Sequence, residues 1–161
     1  MVSQENDPGK ALPYHRRSIR LQKHDYTWTR GYFVTIRARV HEPLFEIPEL
    51  HTILMEEWAA LPQRFSGITL DEFVVMPDHV HFIIWLNGLA EHAPTLGRVV
   101  GAYKSLTTVA WLRQHKSHQQ DSPGSFWLRN YFERVIRDRD ELEKIRHYIR
   151  TNPAKLETRE Q

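Results

Sequence analysis

The chain contains no cysteine, which excludes a disulfide framework and a thiolate zinc site and suits a reducing compartment. No apolar run is long enough to span a bilayer, and the polar opening MVSQENDPGK lacks the apolar stretch of a secretory signal. The expectation is a cytoplasmic protein with no membrane partner. Acids are absent from Thr95 to His118, where four bases stand alone. Bases are nearly absent from residues 42–91, where Arg64 is set against nine acids. Residues 9–39 carry eight Lys or Arg against Asp25 alone, so the net charge of +2 conceals strong segregation. A basic face built from such segments holds a polyanion by counterion release; the same charges also suit an ordinary solvated surface.

Core material is plentiful. With 161 residues, 40% hydrophobic and 26% charged, the chain matches one domain and neither a disordered nor a repeat protein. The expected domain is 1–161, with loose tails at 1–12 and 154–161. In GYFVTIRARV (31–40), Phe33, Thr35, Arg37 and Arg39 alternate with Tyr32, Val34, Ile36 and Ala38, the pattern of a half-buried strand. Leu50, Ile53, Leu54, Trp58 and Leu61 recur at helical spacing after Pro48. Two strand-like runs follow, broken at Met76-Pro77-Asp78, because proline cannot sit inside a ladder.

Residues 95–116 read as the longest helix and HKSHQQDSPGS as a loop. SFWLRNYFERVI (125–136) reads as a strand. Asp138 with Glu141 resembles a capping pair. Leu142, Ile145 and Ile149 mark a last helix, expected to end near Asn152 because Pro153 restrains the residue before it. Strand, helix, strand, strand, helix, strand, helix is the order of an α+β fold with a ferredoxin-like, RRM-like antiparallel sheet and flanking helices. That fold alone decides no function.

The chemistry starts in FVVMPDHVHFIIWL (73–86). Residues i and i+2 of a strand share a face, so His79 and His81 can converge on one cation while Val80 packs on the other side. Two unpaired buried imidazoles would each cost of order 1–3 kcal/mol. A metal satisfies them, and so do backbone carbonyls. In HYIRTNP, Tyr148 and Asn152 lie four apart on one helix face, on the flank of the apolar stripe. They suit a site at the sheet edge, or a boundary tyrosine followed by a helix-capping asparagine.

Taken together, MPDHVHFII, GAYKS, FWLRNYFERVIRD and HYIRTNP resemble the HUH single-tyrosine transposases, above all the REP-associated tyrosine transposases. The likeness runs from about Tyr32 to Pro153, with the motifs in the family's order. HUH stands for His–hydrophobic–His, matched by His79, Val80 and His81. The chain departs from the family's more usual Asn at Asp78 and Gln at Leu128. The resemblance implies the HUH endonuclease fold and cleavage and rejoining of single-stranded or hairpin, palindromic DNA through a 5'-phosphotyrosine intermediate. It also implies Tyr148 as nucleophile and His79, His81 and Asn152 as ligands of Mg²⁺ or Mn²⁺. The protein would act as a monomer or a homodimer, with Tyr148 working in cis or in trans.

Lys104, Arg129, Arg134 and Arg137 are the expected phosphate contacts, against the alternative of plain surface charge. Tyr131 is a rival nucleophile, its other reading being a packing or base-stacking residue. Two other functions compete: a non-catalytic nucleic-acid-binding module, and a hydrolase that activates water at His79 and His81.

Overall fold

The computed structural model describes residues 29–115 and 125–157. The tail expected at 1–12 and most of the loop expected at 115–125 lie outside the described residues. Strand β1 spans Thr29–Arg37, helix α1 Pro48–Arg64, β2 Ile68–Val75, β3 His79–Asn87, helix α2 Leu96–Gln114, β4 Phe132–Val135 and helix α3 Arg139–Glu157. The sheet order is β2-β3-β1-β4, and each neighbouring pair is antiparallel. This is the ferredoxin-like arrangement read from the element order. A right-handed β-α-β crossover leaves a gap that the intervening strand fills from the opposite direction.

Helices cover both faces of the sheet. Tyr32, Val34, Ile36, Val80, Phe82 and Ile84 pack against Leu54, Trp58 and Leu61 of α1 and Val99, Val100 and Tyr103 of α2. Phe33, Ile83 and Phe132 pack on the opposite side against Ile145 and Ile149 of α3. That second layer corrects the half-buried reading of β1, whose residues 31–36 are all buried. Alternation shows which residues share a face; it cannot show that a helix more than 100 residues later covers the polar-looking one.

Two further boundaries differ from expectation. Only Phe132–Val135 of the stretch 125–136 is strand, with one isolated bridge between Ala38 and Trp127. The preceding segment keeps the two backbone bonds of that bridge, Arg39 N to Phe126 O and Leu128 N to Arg37 O, and adds side chains: Lys104 Nζ donates to the carbonyls of Leu128 (2.8 Å) and Arg129 (3.0 Å). Trp127 Nε1 donates to Thr107 Oγ1 at 2.9 Å. The last helix runs through Pro153 to Glu157 and does not end near Asn152, so residues 154–157 are helical where a loose tail was expected. Proline disfavours a helical residue before it without forbidding one, and Ala154, Lys155 and Leu156 all have high helix propensity.

Candidate active site

The tight β2–β3 connection through Pro77 starts β3 at His79, and the pleat then turns His79 and His81 toward α3. Register places Thr35 directly opposite His81, and Arg37 opposite His79. Each imidazole is gripped at Nδ1. His79 Nδ1 donates to Asp78 Oδ1 at 2.5 Å, and His81 Nδ1 shares a 2.8 Å hydrogen bond with Thr35 Oγ1. The two Nε2 atoms therefore face each other, 3.0 Å apart. The Asp78 carboxylate can only accept, so His79 carries its proton on Nδ1 and offers a lone pair at Nε2. The Thr35 hydroxyl both donates and accepts, so it can serve His81 Nδ1 whether or not that nitrogen carries the proton.

Burial lowers the pKa of His79, with the Asp78 hydrogen bond working against that shift. His81 is held well below the ordinary histidine value by burial, reinforced by the nearby His79 and Arg37. Both rings are thus kept neutral, the form in which imidazole acts as a ligand.

From the other side, α3 lays Tyr148 over this pair. Its ring centroid is 5.4 Å from that of His81 and 6.2 Å, nearly perpendicular, from that of Phe33. Tyr148 is half-buried, and Asn152 follows one turn later on the same helix. The Asn152 Nδ2 is buried with no hydrogen-bond partner. Amide nitrogen and oxygen are interchanged by a half-turn of the group, and the buried atom would then be an oxygen, a ligand suited to a hard cation.

A cation fits this donor set by a simple measure. Two ligands on bonds of about 2.1 Å meeting at a right angle lie about 3.0 Å apart, the separation of the two Nε2 atoms. Among the described residues no cluster of three or more His, Cys, Asp or Glu surrounds the pair. Among the described residues a third protein ligand would then be an oxygen of another kind, such as the amide of Asn152.

The phosphate-contact candidates are not gathered on one surface. Lys104 belongs to α2, across the sheet from the histidines, and burial lowers its pKa to about 8. Arg134 and Arg137 lie on the α3 side and both pair with Glu141, Arg137 Nε at 3.7 Å. Arg129 is exposed. The rival Tyr131 packs with the α1–α2 core, under the Lys104 ammonium at 5.6 Å. Burial pushes its pKa up to about 12, which makes it a poorer nucleophile than an ordinary phenol.

Sequence reasoning had not assigned Asp78 and Thr35 to the histidine site. Asp78 was adjacent to His79 and legible as its orienting carboxylate. Thr35 is legible only once the β1–β3 register is known.

The family model described as transposase, IS200-like, matches residues 54–152. An uncharacterised protein of Haemophilus influenzae strain Rd is 31% identical over 166 residues, covering 87% of this chain and 89% of that protein. The structure of a REP-associated tyrosine transposase bound to a REP hairpin superposes with a TM-score of 0.61 at 19% identity, over 89% of this chain and 74% of that one. A crystal structure from Deinococcus radiodurans R1, provisionally described as a transposase, gives 0.55 at 18% identity over 80% and 94% of the two chains. At those identities the two structures speak for the fold.

Proposed function

Because the chain belongs to the IS200-like transposase family, we propose that it cuts and rejoins single-stranded or hairpin DNA, with Tyr148 as nucleophile and His79, His81 and Asn152 as cation ligands. The observation that carries this reading is the seating of the Tyr148 ring 5.4 Å from the His81 ring of its own chain.

The phenol oxygen attacks a backbone phosphorus, a new P–O bond joins Tyr148 to the 5'-phosphate, and the P–O3' bond breaks. The leaving 3'-oxygen takes up a proton, and the phenol has lost one. A covalent diester keeps the phosphodiester free energy for rejoining, whereas hydrolysis discards it. Divalent Mg²⁺ or Mn²⁺ would supply Lewis acidity to a phosphate oxygen beside the histidines. Asp78 and Thr35 hold the imidazole rings in place, and Phe33 supports one side of the Tyr148 ring. Arg129, Arg134, Arg137 and Lys104 are the proposed phosphate contacts; for Lys104 this requires exchanging its carbonyl partners for a phosphate.

Incubation with labelled hairpin DNA and Mn²⁺, followed by a denaturing gel, tests the reading. Wild-type protein should give a covalent protein–DNA adduct. Tyr148→Phe should give none, with DNA affinity within about threefold of wild type. An adduct that survives Tyr148→Phe refutes the nucleophile, free cut strands without adduct indicate the hydrolase, and intact bound DNA indicates the binding module.

A further inference from the structure

We propose that a bulge in β2 is a clasp for the tyrosine-bearing helix, in which Asp71, seated by Trp85 and gripping Arg146, is a positioning residue that holds Tyr148 over the histidines of its own chain. The inference rests on the reading of Tyr148 as nucleophile given above and assigns residues that the reaction itself does not touch.

The clasp begins with a break in register. Leu70 pairs with Ile84 and Phe73 with Phe82, so Asp71 and Glu72 together oppose the single residue Ile83. In a regular strand two neighbours point to opposite faces; the extra residue of a bulge re-aims them. Here both carboxylates reach α3. Arg146 donates from Nε and Nη2 to the two oxygens of Asp71, at 2.9 and 2.7 Å, and Arg150 Nε donates to Glu72 Oε1 at 2.7 Å.

Asp71 is itself fixed. Trp85 Nε1 donates to its Oδ2 at 2.9 Å. The indole needs room over β1, where Gly31 lies directly opposite Trp85. A Cβ at Gly31 would come within 2.8 Å of the ring. The Asp71 side chain is 11% exposed, against 27% for Arg146. Burial opposes its ionised form, yet the hydrogen bonds from Arg146 and Trp85 outweigh burial and hold its pKa below the ordinary carboxylate value.

Helix geometry shows what the clasp controls. At about 100° per residue, Arg146 and Tyr148 lie roughly 160° apart around α3. One flank is tied to β2 and the opposite flank carries the tyrosine, with Ile145 and Ile149 in the core between them. A roll of the helix about its axis would lift Tyr148 from the His81 ring. Isoleucine contacts resist a roll weakly because they are non-directional. A bidentate arginine–carboxylate pair resists it strongly because its geometry is specific. Arg150, one turn on, adds a second anchor against sliding.

The test uses the full chain with Asp71→Asn, the milder Arg146→Lys, and the double variant Asp71→Asn/Arg146→Gln. Two readouts are taken: single-turnover adduct formation on hairpin DNA with Mn²⁺, and amide hydrogen exchange along α3. Asp71→Asn should slow adduct formation at least about tenfold, with the Kd for DNA within about twofold. Its α3 amides should exchange at least about tenfold faster, with β1 and β3 unchanged. Arg146→Lys, which keeps the charge and loses the fork, should shift both readouts the same way, by less. The double variant should be no slower than about twofold below Asp71→Asn, because the two residues act through one another. Unchanged α3 exchange, an unchanged adduct rate in Asp71→Asn, or multiplicative losses in the double variant would overturn the clasp. If wild-type protein forms no adduct, the proposed reaction fails while the exchange measurement still decides the clasp.

Discussion

The two imidazoles at the centre of the site are chemically unequal to free histidine, and that inequality makes acid a probe of them. Both have lowered pKa values, principally through burial. As pH falls, the unfolded chain therefore takes up these protons before the folded chain does. Their contribution to stability is complete above about pH 6.5 and is lost as pH falls through the lowered folded-state values. The slope cannot exceed about 1.4 kcal/mol per pH unit for each imidazole. Wild-type protein should therefore lose stability between about pH 6.5 and pH 5 faster than His81→Gln, which cannot titrate there. Parallel thermal melts across that range check this, and parallel curves for the two proteins would refute it. The residue type and spacing of the pair were legible in the sequence, since strand periodicity alone puts His79 and His81 on one face. Their orientation was not, because Thr35 reaches His81 only through a pairing 46 positions apart in the chain.

At the scale of elements, the segment before β4 shows how a side chain extends a ladder cut short to a single bridge. Lys104 spends its ammonium on the Leu128 and Arg129 carbonyls, where a longer strand was expected. Replacing it by methionine should leave those carbonyls without their charged donor and destabilise the protein by about 1–3 kcal/mol, measured by urea unfolding; a loss below about 0.3 kcal/mol would mean that water substitutes fully. Helix α2 was readable to within two residues, and the buried stripe of α1 residue by residue, because their apolar patterns are local and periodic. The extent of β4, the bulge at Asp71-Glu72 and the cover over β1 were not. Each depends on a partner distant in sequence: Ala38 for Trp127, Ile83 for the bulge, Ile145 and Ile149 for Phe33. The run of helix through Pro153 escaped for a different reason, since a local rule that usually stops a helix was outweighed by the helix formers that follow it.

For the whole molecule, the separation of its two cores predicts how a cation acts. The larger core lies between the sheet and α1–α2, and the histidine pair faces away from it toward α3. The fold therefore owes its main burial to residues that no cation touches, so chelation should leave the protein folded and cooperative. Added Mn²⁺ should bind the folded state alone, because the two Nε2 atoms are brought together only by β3 and its partners. At about one hundred times its Kd, a ligand of the folded state adds about 2.7 kcal/mol, which for a domain of this size raises Tm by roughly 5–11 °C. His79→Ala and His81→Ala should each remove that shift. Tyr148→Phe should retain it, since the phenol is proposed as the nucleophile and not as a ligand. Scanning calorimetry with and without chelator, on these three variants and wild type, measures all of these outcomes. A Mn²⁺ shift retained in full by His79→Ala and by His81→Ala would place the cation elsewhere, and loss of folding on chelation would assign it a structural role.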